Sequence, residues 1–65
     1  MLEAFISRIV QSGVVIVCVR TIYDDGADFP AGPATPDGRI ADSAACRDAE
    51  AQARAWAVSN GFKPV

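Results

Sequence analysis

Cysteine thiols are the first side chains to consider for chemistry in this chain, because they can act as nucleophiles, form disulfides or bind zinc. Cys18 and Cys46 stand 28 positions apart, the chain has no histidine, and no CxxC or CxxH spacing occurs. These absences exclude the usual zinc ligand sets. Cys18 lies within an apolar run and Cys46 begins an alanine-rich segment, so we expect two small buried hydrophobic side chains, with a disulfide as the alternative. This pattern predicts a reduced, cytoplasmic protein.

Aspartates form the second group of side chains with possible chemistry, since oxygen-rich loops can bind Ca²⁺. Asp24, Asp25 and Asp28 form an acidic turn around Gly26. A calcium loop of the EF-hand type requires a glutamate at its twelfth position. Counted from Asp24, that position is Thr35. We therefore expect a solvated turn and no metal site.

Catalysis by acid–base or nucleophilic groups needs a side chain whose pKa lies near neutrality, and histidine is the commonest choice. Histidine is absent, and the phosphate-binding patterns GxxxxGK and GxGxxG are missing as well. Arg20 is the only basic neighbour of Cys18 on the same strand face, but a cysteine in the interior of a strand is expected to be an inert core residue. We predict a protein that is not an enzyme, with no catalytic residues and no cofactor.

Charge is distributed unevenly along the chain. Segment 24–42 contains five aspartates against Arg39 alone, a local charge of −4, whereas the whole chain carries −2. An ordinary solvated loop would explain this pattern. An acidic surface that steers the protein toward a basic site on a partner would explain it as well. In that second case the partner-binding residues are four aspartates and the one large apolar residue of the loop: Asp24, Asp25, Asp28, Asp37 and Phe29.

Net charge and hydropathy argue against two classes of partner. A net charge of −2 gives no basic footprint for DNA or RNA, so we expect no direct nucleic-acid binding. The longest apolar stretch, 14–19, has six residues, whereas a membrane-spanning helix needs about 20. The first 23 residues do not follow the pattern of a secretory signal. We therefore expect no membrane association and no targeting segment.

The clearest secondary-structure element is a strand over residues 14–23, where β-branched residues dominate and neither glycine nor proline occurs. Its first six residues are apolar on both faces. We therefore expect both faces to be covered, by the N-terminal segment, by the C-terminal helix or by a second copy. Residues 2–11 place apolar side chains at i, i+3, i+4, i+7 and i+8 counted from Leu2, as in an amphipathic helix. The same residues are good strand formers, and both alternatives stay open.

A C-terminal helix is predicted over residues 44–60, because seven of these residues are alanine, which has the highest helix propensity. Asp42 or Ser43 would cap its first turn, and Asp48 is an alternative start. Residues 62–65 would pack back as an edge strand. The predicted buried stripe of the helix consists of Cys46, Ala49, Ala53, Trp56 and Ala57.

Chain length limits the architecture. A chain of 65 residues forms one small domain, 1–65, whose core supplies little stability, and this favours a partner or a self-dimer. Between strand and helix, a long loop of glycine, proline and aspartate leads into a possible short strand at 39–41. We predict an α+β fold in which a small antiparallel β-sheet packs against one alanine-rich C-terminal helix, with a long acidic loop at 24–38.

One part of the sequence resembles known proteins. The pattern from Asp48 to Ala57, followed by Asn60, Gly61 and Phe62, is similar to that of small α+β proteins encoded by GC-rich bacteria and their phages. In size, in its lack of catalytic residues and in its acidic loop, the whole chain resembles the phage-encoded anti-CRISPR inhibitors. This resemblance implies a small protein that binds and blocks a larger protein or ribonucleoprotein complex. It transfers no contact residue to this chain.

Three functional hypotheses follow from these observations. The first is a non-enzymatic protein-binding protein, an inhibitor of a larger host complex, that engages a basic site through the acidic loop 24–42. The second is a self-associating structural module, or an antitoxin-like partner protein, in which Val14–Tyr23 pairs across a two-fold axis to form a homodimer. An enzyme that acts through Cys18 or the aspartates is the third alternative.

Overall fold

Four strands and one helix make up the part of the chain that the structure, a computed structural model, describes, namely residues 2–65. The sheet has the order β3-β2-β1-β4 and is antiparallel except for β4, which runs parallel to β1. The α+β class and the C-terminal helix are confirmed, and the N-terminal segment forms a strand from residue 3 to residue 11. The bounds are β1 (Glu3–Gln11), β2 (Val14–Thr21), β3 (Gly26–Pro33), α1 (Ser43–Ser59) and β4 (Lys63–Pro64).

A tight hairpin joins β1 to β2. Gln11 pairs with Val14, so Ser12 and Gly13 alone form the turn. Their φ angles are 54° and 76°, and a two-residue hairpin turn of type I′ requires positive φ at both positions. Gly13 adopts this conformation without the steric cost of a Cβ atom. The turn fixes the register, so each β1 residue has a defined partner on β2.

Strand β3 lies within the long loop that the sequence predicts at 24–38. The prediction is wrong for residues 26–33, which form this strand. Gly26–Pro33 pairs antiparallel with β2 although it contains two glycines and two prolines. The pairing persists because β3 is an edge strand, which needs backbone hydrogen bonds on one side only. A register shift opposite Val14 and Ile16 accommodates the irregular end of the strand.

Two shorter non-strand segments lie on either side of β3 and include the remaining residues of the predicted loop. Residues 22–25 form the turn between β2 and β3, and residues 34–42 connect β3 to α1. The short strand predicted at 39–41 is reduced to a single bridge between Ala34 and Ile40. It does not pair with β2, because β3 already occupies that edge.

Helix α1 begins at one of the three predicted caps. Asp42 is the N-cap, and its carboxylate accepts a hydrogen bond from the Ala45 amide at 3.0 Å. Asp48 therefore lies inside the helix. The predicted stripe is confirmed, with Trp56 half-buried and the other members buried: Cys46, Ala49, Ala53 and Ala57.

The core lies between α1 and one face of the sheet. Three valines of β2 and two alanines from the flanking strands meet the small side chains of the helix. These alanines let the helix backbone lie close over β2 and β3. No described residue covers the opposite face, so a single copy covers only one of the two faces that we expected to be buried. The strand residues of the core are Ala4, Val15, Val17, Val19 and Ala31.

Candidate functional site

The sheet face opposite α1 carries exposed apolar side chains. Successive strand residues point to opposite faces, and the buried valines of β2 face the helix. The outward face therefore receives every second residue of β1 from Phe5 and of β2 from Val14. Phe5 is 53% exposed and Ile9 is 45% exposed. We define the open face by its outward side chains: Phe5, Ser7, Ile9, Gln11, Val14, Ile16, Cys18, Arg20, Asp28 and Pro30.

The size of the open face distinguishes it from scattered apolar surface residues. Three strands about 4.8 Å apart and about 26 Å long cover on the order of 400 Å². Exposed apolar patches of a few hundred Å² on small proteins are often functional. The apolar members are spread over all three strands: Phe5, Ile9, Val14, Ile16 and Pro30. These apolar residues lie among polar ones, namely Ser7, Gln11 and the Arg20–Asp28 pair, so the open face has the extent and the mixed composition of a contact surface.

An ion pair holds the charged end of the open face. Arg20 Nη2 donates to Asp28 Oδ1 at 2.8 Å, and Arg20 Nη1 donates to the carbonyl oxygens of Val19 and Ala27 at 2.8 and 3.2 Å. The hydrogen bond from Arg20 holds the pKa of the Asp28 carboxyl below its ordinary value, against an opposing effect of desolvation. The pair thus presents little net charge to a partner.

Cys18 occupies the middle of the open face, yet only 6% of its surface is exposed. Its register partners are Ser7 on β1 and Asp28 on β3. Burial raises the pKa of the Cys18 thiol, and the Asp28 carboxylate raises it further while Arg20 opposes the shift. A thiol with a raised pKa is a poor nucleophile at neutral pH.

The two thiols lie on opposite sides of the sheet and do not pair. Cys46 belongs to the helix layer and is 4% exposed, and both cysteines are free. Both cysteines are buried, as predicted. Cys46 lies beside an ion pair between Arg8 of β1 and Glu50 of α1, with an Nε–Oε1 distance of 3.6 Å. Arg8 Nη1 lies 3.8 Å from the Cys46 sulfur, so this cluster ties β1 to the helix.

The structure does not bring the predicted acidic residues together. Asp24 and Asp25 lie in the turn before β3, whereas Asp37 lies beyond its other end. A strand of eight residues separates them, and such a strand is about 26 Å long. Asp37 pairs with Arg39 at 3.3 Å, and Asp25 accepts a hydrogen bond from the Thr21 hydroxyl. The aspartates of segment 24–42 therefore form two separate groups rather than one acidic surface.

Phe29 does not stand out from the surface as an anchor. It pairs with Val17 on β3, faces the helix side of the sheet, is half-buried and packs against the core. The exposed aromatic residue on the open face is Phe5, whose position in the sequence fits the apolar stripe of an amphipathic segment. The signal that could have found it is the presence of apolar residues on both faces of residues 2–11.

Comparisons with protein-family models, with curated proteins and with solved structures found no match to this chain. Within residues 2–65, no helix is both long and apolar enough to cross a membrane. The same residues contain no group of three or more cysteine, aspartate, glutamate or histidine side chains placed to hold a metal ion. The open face is therefore the candidate site on structural grounds alone.

Proposed function

We propose that this chain is a small protein-binding protein, of the inhibitor kind that its sequence resembles, and that the open face is its contact surface. The observation that supports this proposal is the exposure of Phe5, Ile9 and Val14 on a face that no described residue covers. Removal of apolar surface from water drives most protein association. A partner that covers the open face would gain this free energy.

The chemistry of the open face favours a protein over a nucleic acid. Its arginine, Arg20, is already paired with Asp28 and offers little to a phosphate backbone. Asp24 and Asp25 lie at one end of the face and make that rim acidic. A partner with an apolar ridge and a basic group beside it fits this arrangement, because interfaces combine an apolar core with a polar rim.

The two aspartates of this rim need different substitutions. Asp25 accepts the hydrogen bond from Thr21, so its loss would disturb the turn. Asp24 has a positive φ angle of 62°, a conformation that asparagine adopts more readily than most residues. Asp24→Asn therefore removes one negative charge from the rim while the turn is kept.

The contact surface can be tested with open-face substitutions and a matched control. Phe5→Ser and Val14→Thr change exposed side chains of the open face, whereas Val58→Thr changes a residue of α1 that is 64% exposed on the other side of the molecule. Tagged forms of the protein are incubated with lysate of the host cells, with and without phage infection. The recovered partner is then identified and its affinity is measured against each purified variant.

We expect the open-face variants to lose affinity at least about tenfold, as for central apolar contacts in other interfaces. Val58→Thr is expected to bind like the unmodified protein, and Asp24→Asn to slow association at low salt. Equal binding by Phe5→Ser, Val14→Thr and Val58→Thr would show that the partner uses another surface. Thermal unfolding of each variant separates lost binding from lost folding.

A further inference from the structure

The edge of β1 is free over residues 7–11. The last backbone hydrogen bond across this edge runs from the Ile6 amide to the Val65 carbonyl oxygen at 3.0 Å. Backbone groups of an antiparallel strand alternate in direction, so the N–H and C=O groups of Arg8 and Val10 point to the same edge as the Ile6 amide. No described residue pairs with them there.

The other edges of the sheet carry features that block pairing. The outer edge of β3 contains Pro30 and Pro33, and β4 has only two residues, one of them Pro64. Prolines, lysines and short strands are the usual means by which sheets prevent edge-to-edge association. The free edge of β1 contains no proline or lysine, and the charge of Arg8 is directed to Glu50 of the helix. Of the described edges, it is the one suited to pairing.

Two surface concavities flank this free edge. One has a volume of about 310 Å³ and includes Arg8, Val10 and Ile40 in its lining. The other has about 300 Å³ and lies where β4 ends, between Val65 and Glu50. The helix lies mainly over β2 and β3 and does not fill this space. The position of a further strand is therefore open beside residues 7–11 of β1, beyond the end of β4.

We infer that this edge pairs antiparallel with the same edge of a second copy, about a two-fold axis at Ile9. Arg8 of one copy then faces Val10 of the other, and each such pair exchanges two backbone hydrogen bonds. Ile9 faces Ile9 of the second copy on the open face, where two β-branched side chains pack well across strands. The free N–H and C=O groups of Arg8 and Val10 are all satisfied.

The register follows from charge and from the bonds already made. A shift that centres the axis on Arg8 would place two guanidinium groups directly opposite each other, and like charges in that position are destabilising. It would also require the Ile6 amide, which is already bonded to Val65. A shift that centres the axis on Val10 leaves only one pair of residues bonded and brings Arg8 opposite the turn at Ser12.

A second copy fits this edge because it presents the same free N–H and C=O groups of Arg8 and Val10. Pairing joins two open faces into one continuous face on the order of 800 Å², which is the area that each partner contributes to a standard interface. This step rests on the proposed function, whereas the pairing of the edges does not. The dimer therefore differs from the homodimer predicted through Val14–Tyr23, because β2 is bonded on both sides and has no free edge.

Amide hydrogen exchange on the purified protein tests the pairing without a partner. We expect the amides of Arg8 and Val10 to exchange at least about tenfold more slowly at high than at low protein concentration. The amides of Ser7 and Ile9, which face β2, should be protected at every concentration. Rapid exchange of Arg8 and Val10 at all concentrations would overturn the inference, and so would protection that arises only when a different protein is added.

Cross-linking tests the register. In the proposed dimer, Ile9 of one copy and Ile9 of the other form a non-hydrogen-bonded strand pair. The Cα atoms of such a pair lie about 4.5 Å apart, and a disulfide can span this distance. Ile9→Cys should therefore form a covalent dimer on mild oxidation, because the native thiols are buried. Ser7→Cys, which faces Gln11 of the second copy, should not. Equal cross-linking of both variants would overturn the register. Failure here leaves the partner-binding test with Phe5→Ser unaffected.

Discussion

Arg20 and Asp28 meet diagonally across β2 and β3, with Arg20 Nη2 2.8 Å from Asp28 Oδ1. The direct register partners are Cys18 for Asp28 and Gly26 for Arg20, so each charged side chain leans along the strand to reach the other. A Cβ atom at Gly26 would overlap the Val19 carbonyl oxygen and lie 3.0 Å from Arg20 Cδ, so glycine is needed here by the neighbouring backbone and also leaves room for the arginine. The ion pair thus joins the edge strand β3 to the centre of the sheet.

This ion pair makes stability depend on pH. The folded-state pKa of Asp28 lies below its ordinary value, mainly because Arg20 donates to it. A carboxyl group with a lowered folded pKa stabilises the fold above its unfolded pKa, which is about 3.9, and loses this contribution as pH falls through the folded pKa. We expect Asp28→Asn to be less stable than the unmodified protein at pH 7 and to approach it in strong acid.

Urea unfolding across this pH range measures the difference in unfolding free energy. High salt should reduce the difference at pH 7, because both side chains are about half exposed. The control is Arg20→Met, in which the additional change Asp28→Asn should have little effect at any pH. If the difference in unfolding free energy between Asp28→Asn and the unmodified protein persisted unchanged to low pH, Asp28 would stabilise the fold by its packing and not by its charge.

Close contact between α1 and the sheet gives a second prediction. Ala53 is fully buried against the strands, whereas Ala51 lies on the exposed side of the helix. Ala53→Leu should lower the unfolding free energy by about 1–3 kcal/mol, because extra methyl groups have no space in a packed core. Ala51→Leu should change it by less than about 0.5 kcal/mol. Chemical denaturation of both variants measures the contrast, and equal effects would contradict the close helix–sheet packing.

The N-cap of α1 gives a third prediction. Asp42 accepts a hydrogen bond from the Ala45 amide, which would otherwise have no partner in the first turn. Asp42→Ala should lower the unfolding free energy by about 1 kcal/mol. Ser43→Ala and Asp48→Ala should cost less, because the structure gives neither side chain the capping role. A larger loss in Asp48→Ala, measured by thermal and chemical unfolding, would move the start of the helix to that residue.

The sequence alone predicts those elements whose residues have a strand or helix propensity that matches the observed secondary structure. Strand β2 follows from its β-branched residues, and α1 follows from its alanines, its small buried stripe and the cap at Asp42. The sequence alone does not decide β1, because Phe5, Ile9 and their neighbours fit both the helical and the strand period. The tight turn at Ser12 and Gly13 decides in favour of the hairpin.

Strand β3 could not be placed, because its stability comes from β2 and not from its own residues. Glycine and proline lower strand propensity, but an edge position removes the need for a hydrogen bond on one side. The distribution of the predicted acidic residues over two separate groups could not be foreseen for a related reason. A sum of charges over segment 24–42 gives no information on which aspartate is paired, and the structure gives Asp28 to Arg20 and Asp37 to Arg39.

The reactivity of Cys18 gives a fourth prediction, and it reports on the open face directly. Burial raises the pKa of this thiol, and the Asp28 carboxylate raises it further. Alkylation requires the thiolate, so we expect slow labelling of Cys18 in the folded protein at pH 7 and faster labelling as pH rises. Cys46→Ala serves as the background, which leaves Cys18 as the sole thiol, and mass spectrometry measures the rate.

Asp28→Asn in this background separates the electrostatic cause from burial. It removes the carboxylate that raises the pKa and leaves Arg20, which lowers it, without its partner. Labelling of Cys18 should therefore become faster at pH 7. The change should be smallest at high pH, where the thiol is ionised in both proteins. An unchanged rate in a variant that stays folded would show that burial alone controls the thiol. A bound partner that covers the open face should slow labelling in both proteins, because Cys18 lies at the centre of that face.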